Sequence, residues 1–358
     1  MNTAVYPTIT VQGDARSRGR MYGELAREYI LNTIEAYKRL FEHWGSLDWA
    51  SAQQEAAKFI PAIEAYDAEI VEEMRGIAEG ARVAFTEILT LNVRYEVVFA
   101  SSMFRECTSA AAAPEVTENG HMIMGQNWDW MPAAADCCIV LKVEQPNRPS
   151  LVTFVEAGLV AKTGINSAGI ALCANGLSSD EFKPYKVPMH VVLRGILNSS
   201  NMSDALSAVV RAERASSCNY LIGSKRGDMI DLETTASRVF HLYAANGCMG
   251  HANNFEYDQA AVNDLGKASF PDSMLRGSRT RRLLSLAAGR IDVQTFKDIF
   301  RDHVGWPNSI CNHVNESRAD QERIRTIGSV IYDLTDMRMW LADGNPCECE
   351  YREIPLNF

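Results

Sequence analysis

The first hundred residues follow a helical pattern of hydrophobic positions. After a short strand-like run at residues 8–11, apolar side chains recur with a period near 3.6 over residues 21–44, which predicts one long amphipathic helix that ends at Trp44. Shorter helices are predicted at residues 51–60 and 62–80, and a fourth, N-capped by threonine, at residues 86–98. The N-terminal part of the chain is therefore predicted to be mainly helical.

Two glycines, Gly13 and Gly19, separate the first strand from the first helix. Five residues lie between them, where a phosphate-binding loop has four, and Arg20 follows instead of Lys and Ser or Thr. We therefore interpret them as glycines at the helix entry and not as part of a nucleotide site.

Beyond residue 120, short apolar runs between turn residues replace the helical period and predict strands. The predicted strands are at residues 121–125, 138–143, 151–156, 220–223, 228–233, 238–243, 329–334 and 337–341. Residues 166–169 predict a hairpin turn between two further apolar runs. Helices return at residues 189–197, 204–212, 278–288 and 293–303. Strands in blocks and helices in pairs predict an α+β fold of antiparallel sheets covered by helices, in a single domain over residues 1–358.

Composition narrows the class of protein. Of the 358 residues, 47% are hydrophobic and 22% charged, which is enough apolar material for a large core. The formal charge of −10 argues against a nucleic-acid or anionic membrane surface, because both need clustered lysine and arginine. The one dense basic group, at positions 276, 279, 281 and 282, is interpreted as a solvated helix face. With no secretory signal and no long apolar run, we expect a cytoplasmic protein.

The nine cysteines do not follow the spacing of a disulfide scaffold or a zinc site. Their number is odd, and none of them forms a C-x2-C pair. Potential ligands exist at His251, Cys248 and Cys218, and at Cys347 with Cys349, but without the spacing of known zinc motifs. The sequence predicts buried thiols and no metal, and it predicts that His251 is structural.

One thiol, Cys107, stands apart because small residues follow it. Thr108, Ser109 and a run of alanines leave room around the sulfur, so we expect it to be accessible. About twenty residues later, polar side chains lie between tryptophans in the segment Gln126-Asn127-Trp128-Asp129-Trp130. Cys107 is therefore the candidate nucleophile.

A catalytic cysteine needs a base, and the residues alone leave two solutions open. None of the seven histidines has a papain-like or caspase-like local pattern with Cys107, although a cysteine-histidine peptidase needs its partners close only in space. The other solution is the cysteine's own α-amine, which titrates near 7.7 to 8.0. That amine exists only if the bond between Glu106 and Cys107 is cut, for example by an N-to-S acyl shift and hydrolysis of the thioester.

Eight motifs give the chain a resemblance to a known family. It resembles the acyl-coenzyme A:6-aminopenicillanic acid acyltransferase family, the C45 group of N-terminal nucleophile hydrolases, related to choloylglycine hydrolases. The motifs are GDARSRGRMYGELA, EEMRGIAEGA, LNVRYE, ECTS, GQNWDW, EAGLVAKTGINSAGIALCANGL, GHANNF and WPNSIC.

The resemblance implies a four-layer αββα sandwich with antiparallel sheets. Cys107 would cut the chain after Glu106 and then act as the N-terminal nucleophile. Asp129 would orient the new α-amine or contact the substrate, Asn253 would be an oxyanion donor, and Asn175 is a further site candidate. Asn312 takes the place of an arginine that meets the substrate carboxylate in the penicillin enzyme, so Asn312 and Asp129 are the candidate substrate-binding residues. A neutral amide at this position argues against a penicillin nucleus as the natural substrate.

These inferences lead to one functional prediction and two alternatives. The chain is predicted to be a self-processing amide hydrolase or acyltransferase that forms a thioester from a small N-acyl compound or acyl donor. Cutting would give an α chain of residues 1–106 and a β chain of residues 107–358 that stay together as a heterodimer, with higher oligomers left open. No organic cofactor is expected, and an acyl-coenzyme A would be a substrate. The alternatives are an uncut cysteine-histidine peptidase and a non-catalytic binding protein on the same scaffold.

Overall fold

The computed structural model describes residues 5–45, 47–98, 106–257 and 261–358, without the side chains of Trp44, Gly45 and Glu106. The side chain of Trp44, the last apolar position of the first predicted helix, and the segment that precedes the predicted cleavage site therefore lie outside the described residues. The described α-helices are α1 (Ala15–Leu25), α2 (Arg27–Gly45), α3 (Trp49–Ala57), α4 (Ile60–Ala81), α5 (Phe85–Val98), α6 (Met189–Leu197), α7 (Met202–Val210), α8 (Gly266–Ser269), α9 (Asp272–Ala287) and α10 (Val293–Phe300).

The strands form two sheets that are almost entirely antiparallel. They are β1 (Thr8–Gln12), β2 (Glu106–Ala112), β3 (Ile123–Trp130), β4 (Cys138–Glu144), β5 (Leu151–Glu156), β6 (Thr163–Asn166), β7 (Ile170–Gly176), β8 (Cys218–Ser224), β9 (Met229–Thr234), β10 (Val239–Leu242), β11 (Cys248–His251), β12 (Arg325–Asp333), β13 (Arg338–Ala342) and β14 (Tyr351–Ile354). One sheet has the order β1-β4-β5-β6-β7-β8-β9-β10 and the other β11-β2-β3-β12-β13-β14. Only the β1–β4 pair of the described strands is parallel.

The two sheets pack face to face and helices cover both outer faces. Strand β7 of the eight-stranded sheet lies against β2 and β3 of the six-stranded sheet. Helices α2 and α6 pack on the eight-stranded sheet, and α9 and α10 pack on the six-stranded sheet. The predicted α+β class and the four-layer αββα arrangement are confirmed. None of the helices in the described ranges is long and apolar enough to cross a bilayer.

The single long helix predicted over residues 21–44 is wrong, because the chain breaks at Ala26 into α1 and α2. Helix α1 also begins earlier than predicted, where the Asp14 side chain accepts a hydrogen bond from the Ser17 backbone N–H. Gly19 is therefore inside the helix and not at its entry. A β-carbon on Gly19 would lie 2.2 Å from the Glu73 carbonyl oxygen of α4, so glycine there permits the close crossing of α1 and α4.

The helical N-terminal part is tied to the rest of the chain through buried charges. Glu73 of α4 receives two hydrogen bonds from the Arg194 guanidinium, with Nη1 at 2.7 Å from Oε1. Arg94 of α5 pairs with Glu156 at 2.5 Å, and all four side chains are almost fully buried. Strand β1 adds main-chain hydrogen bonds to β4. Residues on both sides of the predicted cleavage site therefore belong to one core.

Candidate active site

The candidate site is built on the adjacent strands β2 and β3. In β2, Cys107 and Ala111 face the eight-stranded sheet, while Ala110 faces the helices α9 and α10. The antiparallel register sets Cys107 opposite Trp128 and Glu106 opposite Asp129. The predicted nucleophile and the predicted aspartate are therefore brought together by strand pairing, although about twenty residues separate them in sequence.

Cys107 is buried, contrary to the expectation of an accessible thiol. Its side chain is only 7% exposed, and the alanines that follow in β2 are fully buried. The small residues permit close packing of the sheet against its neighbours instead of opening the site to solvent. Burial is the main cause that raises the pKa of the Cys107 thiol to about 11.

Asn253 reaches Cys107 because strand β11 pairs with β2. His251 is opposite Ser109 in that pairing, so the residue two positions further along the chain lies beside Cys107. The Cys107 backbone N–H donates to Asn253 Oδ1 at 2.7 Å, and Asn253 Nδ2 donates to the Gly176 carbonyl at 3.0 Å. The amide oxygen, and not the NH2 group, faces the cysteine. The oxyanion role of Asn253 stays a prediction, whereas its contact with the cysteine nitrogen is part of the structure.

Arg276 belongs to the site, although the sequence analysis interpreted it as part of a solvated helix face. It is buried in α9, where Nη1 donates to the Cys107 carbonyl at 2.8 Å and Nη2 donates to Asn253 Oδ1 at 3.1 Å. Asp272 accepts from Nε at 3.0 Å and balances the charge. Gly250 of β11 permits this close approach, since a β-carbon there would lie 2.8 Å from Thr280 of α9.

Asp129 is fully buried and is held from behind by β12. Its Oδ1 accepts a hydrogen bond from the Thr326 hydroxyl at 2.6 Å, and its charge raises the pKa of the Cys107 thiol. Thr326 Oγ1 in turn accepts from the Asn312 backbone N–H at 2.9 Å. Asn312, the predicted substrate-binding residue, is buried one layer behind Asp129. It is not among the described residues that line the cavity beside Cys107.

Asn175 links the two sheets next to the nucleophile. Its Oδ1 accepts from the hydroxyl of Ser109, two residues after Cys107, at 2.8 Å, and from Asn219 Nδ2 at 3.3 Å. Its Nδ2 is buried and has no acceptor in the described part of the chain. A second bridge is formed by Gln126, whose side chain exchanges two hydrogen bonds with the Ala174 backbone. Asn175 and Gln126 therefore join the two sheets around the thiol.

Lys162 is a site residue that sequence reasoning missed. Its Nζ lies 3.8 Å from the centre of the Trp128 ring and 5.6 Å from that of Trp130. Burial lowers the pKa of this lysine to about 8, against the opposing effect of Glu156. In its charged form Lys162 lowers the pKa of the Cys107 thiol. A lone lysine inside an apolar run has no local pattern that would identify it.

The cavity beside Cys107 has mainly apolar walls and a volume of about 40 Å³. Trp128, Trp130, Met189 and Leu193 line it together with polar groups that include Lys162. This volume accommodates a water molecule, whereas small-molecule pockets usually measure about 300 to 1,000 Å³. A groove of about 810 Å³ lies elsewhere, between α2 and residues 131–137, and no predicted site residue lines it.

Two histidines near the site differ sharply in their surroundings. His190 lines the cavity, but neither ring nitrogen has a hydrogen-bond partner in the described residues. Burial, Arg94 and Lys162 hold its pKa well below the usual range. His251 lies 2.7 Å from Glu233 through Nε2 and 2.8 Å from the Ala252 carbonyl through Nδ1. Despite its burial, nearby Asp231 and Glu233 raise the pKa of His251 to about 9, so it forms a buried ion pair away from the thiol.

Comparison with known proteins adds a family match and two curated relatives. The family model of acyl-coenzyme A:6-aminopenicillanic acid acyl-transferase matches residues 116–348, a range that begins after Cys107. The acyl-coenzyme A:6-aminopenicillanic-acid-acyltransferase 40 kDa form of Emericella nidulans is 27% identical over 341 residues, which cover 94% of this chain and 92% of that protein. An uncharacterized protein of Archaeoglobus fulgidus is 26% identical over 193 residues, covering 48% of this chain and 31% of its own length.

Solved structures that align with the chain have low sequence identity to it. A mutant of conjugated bile acid hydrolase from Clostridium perfringens aligns with a TM-score of 0.45 and 14% identity, covering 70% of this chain and 97% of that structure. Penicillin V acylase from Agrobacterium tumefaciens aligns with a TM-score of 0.45 and 11% identity, covering 66% and 83%.

Proposed function

The chain belongs to the acyl-coenzyme A:6-aminopenicillanic acid acyl-transferase family, and from this premise we propose that it is a self-processing cysteine amide hydrolase or acyltransferase. The observation that carries the proposal is the 2.7 Å hydrogen bond from the Cys107 backbone N–H to Asn253 Oδ1. It provides a buried acceptor at the nitrogen that would become the catalytic α-amine. Metal and organic cofactors have no role in the proposed reaction.

Self-cleavage would begin at the thiol of Cys107. Its sulfur attacks the carbonyl carbon of Glu106, the peptide C–N bond breaks, and the nitrogen takes up a proton as the amine of Cys107. Water then hydrolyses the thioester, which leaves Glu106 with a carboxylate and restores the thiol. Lys162 supports this step because its positive charge favours the thiolate in a buried site.

The released α-amine would then serve as the base for substrate turnover. An α-amine titrates near neutral pH and can take the proton from its own cysteine thiol. Asn253 Oδ1, itself held by Arg276, would keep that amine next to the sulfur. Asp129, which lies opposite Glu106 in the strand pair, supplies a negative charge that favours the protonated amine after the proton has moved.

The acyl-thioester step also needs donors for the oxyanion, and we propose the side-chain amide of Asn175 for this role. Its Nδ2 is buried and has no acceptor among the described residues, so it is available to a developing negative charge. Asn253 Nδ2 already donates to the Gly176 carbonyl. We therefore assign the first oxyanion role to Asn175 and the positioning of the amine to Asn253.

The substrate would be a small N-acyl compound or another acyl donor such as an acyl-coenzyme A. The apolar walls formed by Met189, Leu193 and the two tryptophans suit an acyl chain. The cavity of about 40 Å³ is smaller than such a group, and we propose that the site opens after cleavage to admit it. Water as acceptor of the acyl group gives hydrolysis, and an amine gives transfer. Asn312, a neutral amide behind the site, does not provide the guanidinium that a penicillin carboxylate would meet.

Trapping the thioester tests this proposal. The processed protein, mixed with N-acyl amides of graded chain length and quenched in acid, should show a fragment of residues 107–358 heavier by one acyl group. Hydroxylamine should remove the added mass, because it cleaves thioesters. The adduct should map to the peptide that begins with Cys107. An adduct on another residue, or turnover without any adduct under rapid quenching, would contradict the mechanism.

A His190→Leu variant separates this mechanism from a cysteine-histidine peptidase. Loss of a general base lowers kcat by roughly 100-fold to 10,000-fold. Among the described residues His190 has no hydrogen-bond partner that would orient its ring, and its pKa lies well below the usual range. We therefore expect self-cleavage at the wild-type rate and a fall in kcat much smaller than about 100-fold. Intact-mass analysis follows the cleavage, and a pH–rate profile follows turnover. A fall in kcat of about 100-fold or more in the variant would favour histidine as the base.

A further inference from the structure

A cluster of two cysteines and two histidines lies outside the candidate active site. His303, Cys311 and His313 belong to the loop of residues 301–313 that follows α10, and Cys347 belongs to the turn that follows β13. One potential ligand atom from each of the four side chains lies within 4.8 Å of all the others. The two segments are separated by more than thirty residues, so their convergence is a property of the fold.

The distances within the cluster match those around a tetrahedral zinc ion. Zinc bonds of about 2.3 Å to sulfur and about 2.05 Å to nitrogen imply separations of about 3.8 Å between two sulfurs, 3.6 Å between sulfur and nitrogen, and 3.3 Å between two nitrogens. The Cys311 and Cys347 sulfurs are 3.5 Å apart. His313 Nε2 lies 3.6 Å and 3.3 Å from these sulfurs and 3.3 Å from His303 Nε2.

A disulfide does not explain the arrangement. Disulfide sulfurs lie about 2.05 Å apart, which is far shorter than the separation of Cys311 and Cys347. A cysteine pair alone would also leave unexplained why His313 Nε2 points at both sulfurs and at the second histidine. Soft thiolate and imidazole ligands in this number are typical of zinc.

The surrounding residues hold the ligands as a metal site requires. Asn345 Nδ2 lies 3.6 Å from the Cys311 sulfur and donates to the Asn312 carbonyl at 2.7 Å. Glu348 places a carboxylate oxygen 3.8 Å from Nδ1 of His313, the ring nitrogen that faces away from the cluster. The Asn345 amide beside the thiolate and the Glu348 carboxylate near the ring are outer groups of the kind that support metal binding.

We propose that His303, Cys311, His313 and Cys347 form a structural zinc site. Four protein ligands close the coordination sphere, so the ion has a structural and not a catalytic role. The proposal departs from the expectation of no metal, which rested on spacing along the sequence. Of the thiols considered there, only Cys347 is a ligand, and its partners come from a distant loop.

The zinc site would fix the loop that supports Asp129. Asn127 Nδ2 of β3 donates to the carbonyls of Phe300 and Ile310 at 2.9 and 2.7 Å, which binds the ends of the loop to the sheet. Asn312 lies between two of the ligands, and its backbone N–H donates to Thr326, whose hydroxyl donates to Asp129. A metal that joins this loop to the turn at Cys347 therefore stabilises the layer behind the candidate site.

Zinc content is the direct test. The full chain, purified in metal-free buffer, should contain about one zinc ion per chain by elemental analysis, and a thiol-modifying mercurial should release it. Cys347→Ser should lose most of this zinc, and because Cys347 is exposed the variant should fold. Cys349→Ser, two positions away and outside the cluster, should keep it, as should His241→Gln on the distant strand β10. Equal zinc in Cys347→Ser and wild type, or none in wild type, would overturn the proposal.

Cobalt provides a second readout that does not depend on activity. Chain stripped of zinc and refilled with Co²⁺ should show the intense ligand-field absorption of a tetrahedral sulfur–nitrogen site, and Cys347→Ser should not. The same measurement on Cys107→Ala, which cannot be processed, should give the wild-type spectrum. Failure of the zinc proposal and failure of the proposed enzyme mechanism are thereby distinguished. Octahedral cobalt spectra in the wild-type protein would contradict the ligand set.

Discussion

Replacing Cys107 by alanine should leave the chain uncut and abolish turnover. The wild-type chain of 39.8 kDa should appear as two pieces, of about 12 and 28 kDa in proportion to their residues, whereas Cys107→Ala should give a single full-length mass. The same sulfur attacks the Glu106 carbonyl and later accepts the acyl group. Its removal therefore prevents both cleavage and turnover. Intact-mass analysis and N-terminal sequencing from Cys107 check the first loss, and acyl-amide hydrolysis checks the second.

A cysteine elsewhere provides the matched control. Cys137→Ala removes another buried thiol, and this variant should be cut and should turn over substrate at wild-type rates. A full-length mass in purified, active wild type would exclude the amine-base mechanism and favour the uncut cysteine-histidine peptidase. A stable, uncut and inert wild type would favour a binding protein on the same scaffold. Normal turnover in Cys107→Ala would exclude this thiol as nucleophile.

Replacing Asn253 by alanine should lower kcat by roughly 100-fold, the loss that a misplacement of about 1 Å at a catalytic group can cause. The substitution removes the acceptor at 2.7 Å from the cysteine nitrogen and leaves Arg276 without one of its buried partners. We expect slow self-cleavage in the same variant. The neighbouring amide supplies the control: Asn254→Ala, which loses a contact with Ser273 instead, should retain most of the activity of the wild type.

An aspartate at the same position distinguishes the two roles that an asparagine could have. Asn253→Asp keeps an oxygen for the cysteine nitrogen and for Arg276, but it loses the NH2 group. If Asn253 positions the α-amine, this variant should be clearly more active than Asn253→Ala. If Asn253 is the oxyanion donor, both variants should be equally impaired, and our assignment to Asn175 would be wrong. Melting temperatures of the variants exclude unfolding as the cause.

Cys107 was identified from the residues around it, whereas the role of Asp129 came from family resemblance. Cys107 and Asp129 belong to consecutive strands, so a hairpin-like register places them together once both strands are recognised. Asn253 was also identified only through family resemblance, because β11 pairs with β2 although 146 residues separate Asn253 from Cys107 in sequence. The strand β2 itself was not predicted, since a run of alanines has no alternation of polar and apolar residues.

Two buried cations show where sequence reasoning failed. Helix α9 begins at Asp272, six residues before the predicted start, and Arg276 lies in the part that was missed. Arg281 and Arg282 are more exposed than Arg276. The sequence shows only the positive charge that they share, and the whole cluster was therefore interpreted as a solvated face. A buried, paired cation and a surface cation give the same pattern of charge along the chain. Only the tertiary structure therefore shows that Arg276 and Lys162 point inward.

The buried pairs that join the N-terminal helices to the rest of the core determine how the processed protein would respond to unfolding. Separating residues 1–106 from residues 107–358 would leave Glu73 without Arg194 and Arg94 without Glu156, which typically costs about 3 to 5 kcal/mol for each broken pair. The nicked protein should therefore stay assembled. Once denatured, however, its two pieces must find each other by diffusion. Cleavage as proposed converts a unimolecular folding reaction into a bimolecular one, and recovery of the mature form depends on concentration whereas that of the precursor does not.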